Sequence, residues 1–188
     1  MTDSGATQVG DIIGSTGVAV GPGAKVDYHQ PPPPRPRQLP APPADFVGRA
    51  AELTDLLAHF ERGAIIAGLR GLGGVGKTAL ALVLADKLQA RFPDAQLFVD
   101  LRGTSETPLT PAQAMAQVIR AYHPTARLPD DEGELRGLYC SVLAGQRALL
   151  LLDNARDAEQ VRPLLPPAGC ALLVTSRQKF YLAGLQPL

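Results

Sequence analysis

The sequence predicts an α/β domain in which helices cover both faces of a parallel sheet, preceded by a flexible N-terminal tail. Short apolar segments alternate with longer segments whose apolar residues recur at helical spacing. The apolar segments lack polar alternation, as expected for strands buried on both faces of a parallel sheet. A dense proline-rich run at residues 31–43 separates the tail from this folded part.

The first 30 residues form a glycine-rich tail. Val18, Val20, Ala24 and Val26 alternate between glycines, which is a weak strand-turn-strand signal. So little apolar surface favours a disordered tail, because it cannot offset the entropy cost of ordering the chain. The alternative is a short β motif that pairs with itself when copies stack.

Residues 31–44 are predicted to be a linker, since eight of the thirteen residues 31–43 are proline. Such a run prefers the polyproline II conformation and acts as a semi-rigid spacer. Arg35 and Arg37 among the prolines also permit recognition by an aromatic groove of another protein. The folded domain is expected to cover residues 45–188.

The first half of this domain is predicted to be helix, strand, helix, strand. Residues 50–62 place their apolar side chains on one helical face, and residues 64–69 form a short apolar run typical of a buried strand. The next helix, residues 77–91, carries a leucine stripe and is ended by Pro93. Residues 95–101 are the second strand.

The second half continues with Thr110 as the N-cap and Pro111 in the first turn of a helix that reaches about Tyr122. Another helix is predicted at residues 131–144. A fully apolar strand at 148–152, a short helix at 157–164 and a strand at 171–175 follow. This order of strands and helices predicts the parallel sheet.

Residues 71–78, GLGGVGKT, match the phosphate-binding pattern G-x-x-x-x-G-K-[ST] at every fixed position. Such a loop wraps tightly and points backbone N–H groups at phosphate oxygens. Lys77 is expected to reach the β- and γ-phosphates, and Thr78 to offer its hydroxyl to Mg²⁺. The sequence therefore predicts a P-loop NTPase fold, with backbone contacts to the nucleotide from Gly71, Gly73, Gly74, Val75 and Gly76.

Two further candidates follow apolar strands. Asp153 ends the strand at 148–152, about 75 residues after the P-loop lysine, and is predicted to hold Mg²⁺; an N-cap for the next helix is the alternative. Thr175, Ser176 and Arg177 end the last strand and are expected to face the same crevice. Arg177 could there contact a γ-phosphate, or it is an ordinary surface arginine. Asp153 and Arg177 are thus the candidate catalytic residues.

As an ordered set, these motifs resemble the NB-ARC branch of the STAND P-loop NTPases. The set comprises FVGR at residues 46–49, the P-loop, LLLLD at 149–153 and LLVTSR at 172–177. The branch includes apoptotic scaffold proteins, plant disease-resistance proteins and bacterial regulators. The resemblance implies an ATP/ADP switch with Mg²⁺, in which Phe46, Val47 and Arg49 contact the base and ribose. It also suggests that Arg102 approaches the nucleotide.

The chain departs from the family pattern in two ways. Members often have a second acid directly after the metal-binding Asp, but Asn154 occupies that position here. An amide cannot act as a general base, so the domain is expected to be at most a slow ATPase. The family also places a helical lid and a winged-helix domain after the TSR strand. Both are expected to be absent from these 188 residues, and the sheet could lack its last strand.

Composition excludes several other classes of protein. Lys and Arg total 18, as do Asp and Glu, which argues against direct nucleic-acid binding or attachment to an anionic membrane. No apolar run approaches the ~20 residues of a membrane helix. Cys140 and Cys170 form no metal or disulfide pattern, so a cytoplasmic location is expected.

A homo-oligomer or a protein partner is possible. The alternative functions are an adaptor acting through the tail and proline-rich segment, and a conventional ATPase.

Overall fold

The computed structural model describes residues 35–61, 66–70, 76–178, 180 and 185–187. In this part of the chain, five parallel strands form one sheet with the spatial order β2-β3-β4-β1-β5. The strands are Ile66–Arg70 (β1), Ala95–Asp100 (β2), Ala148–Ala155 (β3), Ala171–Ser176 (β4) and Leu185–Pro187 (β5). The predicted parallel α/β sheet is confirmed.

Helices cover both faces of this sheet. One side carries Ala50–Glu61 (α1) and Lys77–Lys87 (α2), and the other carries Pro111–Tyr122 (α3), Glu132–Leu143 (α4) and Ala158–Val161 (α5), which continues into a 3₁₀ turn. The predicted Thr110 cap is present as a capping box, in which Thr110 and Gln113 each accept a hydrogen bond from the other's backbone N–H. In the described part of the chain, no helix is long and apolar enough to cross a membrane.

Strand β3, which lies between β2 and β4, explains why the predicted strands lack polar alternation. Leu150 and Leu152 pack into the core beneath α3 and α4, whereas Leu149 and Leu151 pack into the core beneath α1 and α2. All four side chains are at most 1% exposed. Burying each of them stabilises the fold by about 1.5–3 kcal/mol, so the unbroken leucine run is the physical signature of a sheet with two cores.

Two sequence-based boundaries and the number of strands need correction. The helix predicted at 77–91 ends at Lys87, because Leu88 and Phe92 turn inward and the proline after Phe92 disfavours a helical conformation there. Strand β3 continues three residues past Leu152 through a polar stretch that periodicity does not mark. The sheet also has an additional edge strand, β5, paired with β1.

The described part of the proline-rich segment lies along the edge of the sheet. The Gln38 N–H donates to the Gln96 carbonyl and the Gln96 N–H donates to the Pro36 carbonyl, both at 2.8 Å. The Arg37 guanidinium donates to the Pro93 carbonyl at 2.7 Å, and Pro36 is buried. These contacts cover the outer edge of β2, a position that otherwise invites pairing with another chain. The tail at 1–30 and residues 31–34 lie outside the described residues.

Substitution Gln38→Pro should lower the melting temperature. It removes the N–H that satisfies the carbonyl of buried Gln96, a loss of about 1–3 kcal/mol. For a domain of this size, roughly 2–4 °C is lost per kcal/mol. Gln38→Ala keeps the backbone N–H and is the matched control, because the Gln38 side chain is exposed. Equal melting temperatures of the two variants would show that this edge pairing contributes nothing.

Candidate nucleotide-binding site

The carboxyl ends of β2, β3 and β4 meet the N-terminus of α2 around a cavity of about 400 Å³. Open α/β sheets bind ligands at this edge, because loops leave the strands there in different directions. The cavity brings together the polar residues at the carboxyl ends of these strands. Its lining residues are Gly76, Lys77, Thr78, Asp100, Asp153, Asn154, Thr175, Ser176 and Arg177.

The N-terminus of α2 supplies the anion-binding part of the cavity. Gly76 is its N-cap and has a φ of 76°, a left-handed conformation that glycine adopts without strain. Lys77 and Thr78 lie in the first helical turn, whose backbone N–H groups and partial positive charge attract anions. Of the predicted backbone contacts, Gly71, Gly73, Gly74 and Val75 lie outside the described residues.

Asp153 connects α2, β3 and β4. The Thr78 hydroxyl shares its proton between the two Asp153 carboxylate oxygens, at 2.9 and 3.1 Å. The Thr175 hydroxyl also donates to Asp153. The structure thus brings the predicted metal pair, Thr78 and Asp153, into direct contact. A hydroxyl and a carboxylate at the mouth of an anion site fit Mg²⁺, which is bound by few carboxylates together with phosphates.

The electrostatics of Lys77 also favour an anion. Burial lowers its pKa, and so do the positive charges of Arg177 and Arg49, whereas Asp153 acts in the opposite direction. Two cationic side chains from separate elements, Arg177 and Arg49, therefore lie close enough to Lys77 to repel its positive charge. A polyphosphate placed among them would relieve this repulsion.

Not every predicted site residue lines this cavity. Phe46, Val47 and Arg49 precede or begin α1 and are outside its described lining, as is Arg102. Phe46 packs against the α1 and α2 core, and Val47 is 84% exposed. Arg49 forms a surface ion pair with Glu52 at 3.2 Å. Such an ion pair contributes little to the stability of the fold, because water screens the two charges.

Asn154 has a conformation that accounts for an asparagine at this position. Its φ is 56°, in the left-handed region that asparagine tolerates. Its backbone N–H donates to the Thr175 hydroxyl at 2.9 Å, and its side-chain amide contacts Thr104 at 3.4 Å. The amide is therefore held against the β2–α3 loop.

The β2–α3 loop packs tightly on the end of β3. The Gly103 N–H donates to the Asn154 carbonyl at 2.7 Å. A Cβ on Gly103 would lie 2.3 Å from the Arg156 nitrogen, so only glycine fits there. Buried Gln160 holds the same loop by donating to the carbonyls of Leu101 and Leu109, at 2.9 and 2.7 Å. This loop follows Asp100, which is the last residue of β2 and a cavity residue that the sequence analysis missed.

The NB-ARC domain model matches residues 49–181 of the chain, a range that contains α1 to α5 and strands β1 to β4. The chain belongs to the NB-ARC family. Its resemblance to the P-loop NTPases is thereby confirmed. An NB-ARC domain is a nucleotide-binding module of regulatory and signalling proteins, which gives the cavity its general role.

Relatives of this NB-ARC chain carry regulatory names. It is 48% identical over 162 residues to the regulatory protein AfsR of Streptomyces coelicolor, and 45% identical over 157 residues to AfsR of Streptomyces griseus. Each match covers 80% of this chain and 16% of the relative, so the chain spans about a sixth of their length. A nucleotide-binding leucine-rich repeat-like protein of Hyaloscypha variabilis is 28% identical over 124 residues, covering 62% of this chain and 12% of that protein.

Among solved structures, the chain is similar to the ORC1 protein of Aeropyrum pernix, whose structure was determined in complex with DNA. The two are 25% identical, with a TM-score of 0.47. The match covers 72% of this chain and 40% of that one.

Substitution Gly103→Ala should destabilise the domain, because its Cβ would collide with the backbone of Arg156 and Asn154. Overpacking of this kind costs about 1–3 kcal/mol. Gly137→Ala is the matched control. Gly137 is an exposed residue within α4, where a Cβ meets nothing within 4 Å. That control should stabilise the helix by up to about 1 kcal/mol. Urea unfolding measures both, and a Gly103→Ala variant as stable as wild type would contradict the packing described for the loop.

Proposed function

We propose that this NB-ARC domain binds ATP and ADP together with Mg²⁺, as the nucleotide switch of a regulatory protein. The observation that carries the proposal is the direct contact of Thr78 with Asp153 beside Lys77, at the N-terminus of α2. A magnesium-bound triphosphate is typically held by a helix N-terminus, a lysine, a hydroxyl and a carboxylate, and all four groups are present here.

Each of these residues has a proposed task. Lys77 pairs with the β- and γ-phosphates, and the P-loop backbone from Gly71 to Gly76 surrounds them. Thr78 can offer a lone pair to the cation while it still donates its proton to Asp153, because a hydroxyl has one donor and two acceptor sites. When bound, Mg²⁺ would neutralise charge on the phosphate oxygens.

The adenosine contacts are proposed at the start of α1. Val47 has an exposed apolar side chain and follows Phe46 directly in the sequence. Together the two residues would provide apolar surface for a base. Arg49 lies close enough to Lys77 to lower the pKa of that lysine, which is compatible with a ribose or phosphate contact. Arg177, at the end of β4, is proposed to contact the γ-phosphate and so to distinguish ATP from ADP.

Hydrolysis should be slow. The Asn154 amide cannot accept a proton from water, and its contact with Thr104 holds it against the loop. We expect turnover well below the ~1–100 s⁻¹ of kinases. A slow ATPase stays in its ATP state long enough for a partner to respond, which suits a switch better than a metabolic enzyme.

The cellular setting is proposed from the same observations. Two relatives of the chain are named regulatory proteins, and this supports a role in signalling. A protein partner or a second copy of the chain would then respond to the bound nucleotide. Cys140 and Cys170 are both free thiols, which is compatible with a cytoplasmic location. Residues 1–30 are proposed as a tail, 31–44 as a linker and 45–188 as the nucleotide-binding domain.

Lys77→Ala should weaken ATP and ADP binding by at least about 10-fold, since a charge-assisted contact to phosphate is worth about 1.5–3 kcal/mol. Lys87→Ala is the matched control, because Lys87 is exposed in the last turn of the same helix. Titration calorimetry measures both variants. Equal affinity of Lys77→Ala and wild type would refute the assignment of the phosphate site.

Asp153→Asn should reduce the dependence of ATP affinity on Mg²⁺, because the amide retains the shape of the carboxylate but lacks its charge. Wild type should bind ATP more tightly with Mg²⁺ than with EDTA, and the variant should lose most of that difference. Asp130→Asn, on an exposed loop, is the control. A Mg²⁺ effect of wild-type size in Asp153→Asn would remove Asp153 from the metal site.

A further inference from the structure

We infer that Asp100 is the carboxylate that orients the attacking water when this domain hydrolyses ATP. The inference rests on the proposed function and adds a residue to it. Within the family pattern, the second acid follows the metal-binding Asp directly, and Asn154 stands there in this chain. Asp100 lines the same cavity from the neighbouring strand.

The sheet register places Asp100 beside Asp153. The two residues are paired across β2 and β3, as are Phe98 with Leu151 and Gln96 with Leu149. Register partners in parallel strands share a face of the sheet, and neighbouring strands are about 4.8 Å apart. Asp100 therefore lies on the face that carries Asp153 and the N-terminus of α2. It extends the carboxylate side of the cavity by one strand.

Local hydrogen bonds hold the Asp100 side chain in one orientation. Its Oδ1 accepts the Arg102 N–H at 2.8 Å, and Arg102 has a φ of 49° that closes the turn. The other oxygen, Oδ2, accepts no hydrogen bond from the residues that the structure describes. One oxygen thus fixes the carboxylate and the other is available to a water in the cavity.

The backbone around Asp100 is fixed to β3. The Leu101 N–H donates to the Asp153 carbonyl at 2.8 Å, and the Gly103 N–H donates to the Asn154 carbonyl at 2.7 Å. A water-orienting group has to be held close to its productive position, because small displacements reduce the rate strongly. This attachment gives Asp100 such a position relative to the metal-binding residues.

The two carboxylates have different partners and so can have different tasks. Asp153 accepts hydrogen bonds from the hydroxyls of Thr78 and Thr175, and it belongs to the side of the cavity where we propose that the metal binds. Asp100 accepts only a backbone N–H among the described residues. Asn154 lies in the same lining with an amide that cannot accept a proton.

In the proposed step, the water oxygen forms a bond to the γ-phosphorus as the bond between that phosphorus and the β–γ bridging oxygen breaks. One water proton passes to the Asp100 carboxylate and then to the released inorganic phosphate. ADP leaves with the electron pair of the broken bond. No oxidant or further reactant is required.

The test compares wild type with Asp100→Asn in the full chain, using Mg²⁺ and radiolabelled ATP in single-turnover phosphate release, with calorimetry for affinity. The amide oxygen still accepts the Arg102 N–H, so the turn is retained. We expect the rate to fall by about 100-fold, the usual contribution of a positioned acid–base group, with affinity within about 3-fold of wild type. Glu106→Gln, an exposed residue of the same loop, is the control and should keep the wild-type rate.

The other outcomes are decisive as well. An Asp100→Asn rate equal to wild type, or a wild type that binds ATP without measurable turnover, overturns the inference but leaves the switch proposal intact. Loss of Mg²⁺-dependent affinity in Asp100→Asn makes Asp100 a metal ligand and also overturns it. A wild type that binds neither nucleotide refutes the proposed function itself. Should Asp100→Asn fail to fold, Asp100→Ser keeps an acceptor for Arg102 and takes its place.

Discussion

The hydrogen bond from Thr78 to Asp153 is the contact that determines the geometry of the cavity. It joins the first turn of α2 to β3 near the carboxyl end of that strand, and Thr175 joins the same carboxylate to β4. Helix α2 therefore cannot shift along the sheet without losing bonds to a partly buried charge, which costs more than a neutral hydrogen bond. The mouth of the cavity is thus held by contacts within the chain itself, so binding energy need not be spent on assembling it.

The features predictable from the sequence are those that depend on side-chain pattern. The leucines of β3 identified a strand with two buried faces, and Thr110 identified a helix start through its short polar side chain. The contact of Thr78 with Asp153 could also be expected, because a strand end and a P-loop helix meet at one edge of such a sheet. These signals are local or follow from topology, so one sequence suffices to find them.

Other features depend on backbone geometry, which leaves little trace in the residue types. Pro36 and Gln38 pair with the edge of β2 through main-chain groups, and β5 is only three residues long. The left-handed φ of Asn154 and the fit of Gly103 against Arg156 arise where two segments meet. Asp100 was missed for another reason: the second strand was predicted to reach residue 101, which places Asp100 inside the strand, whereas β2 ends at Asp100.

The charge arrangement would give the proposed switch a physical basis. Lys77 begins α2, Arg49 directly precedes α1, and Arg177 directly follows β4. The positive charges of Arg49 and Arg177 lower the pKa of Lys77. An anion between them removes their repulsion, so a bound polyphosphate favours conformations that bring these elements together. ATP and ADP can shift an equilibrium only through contacts that differ between them, which are those to the γ-phosphate.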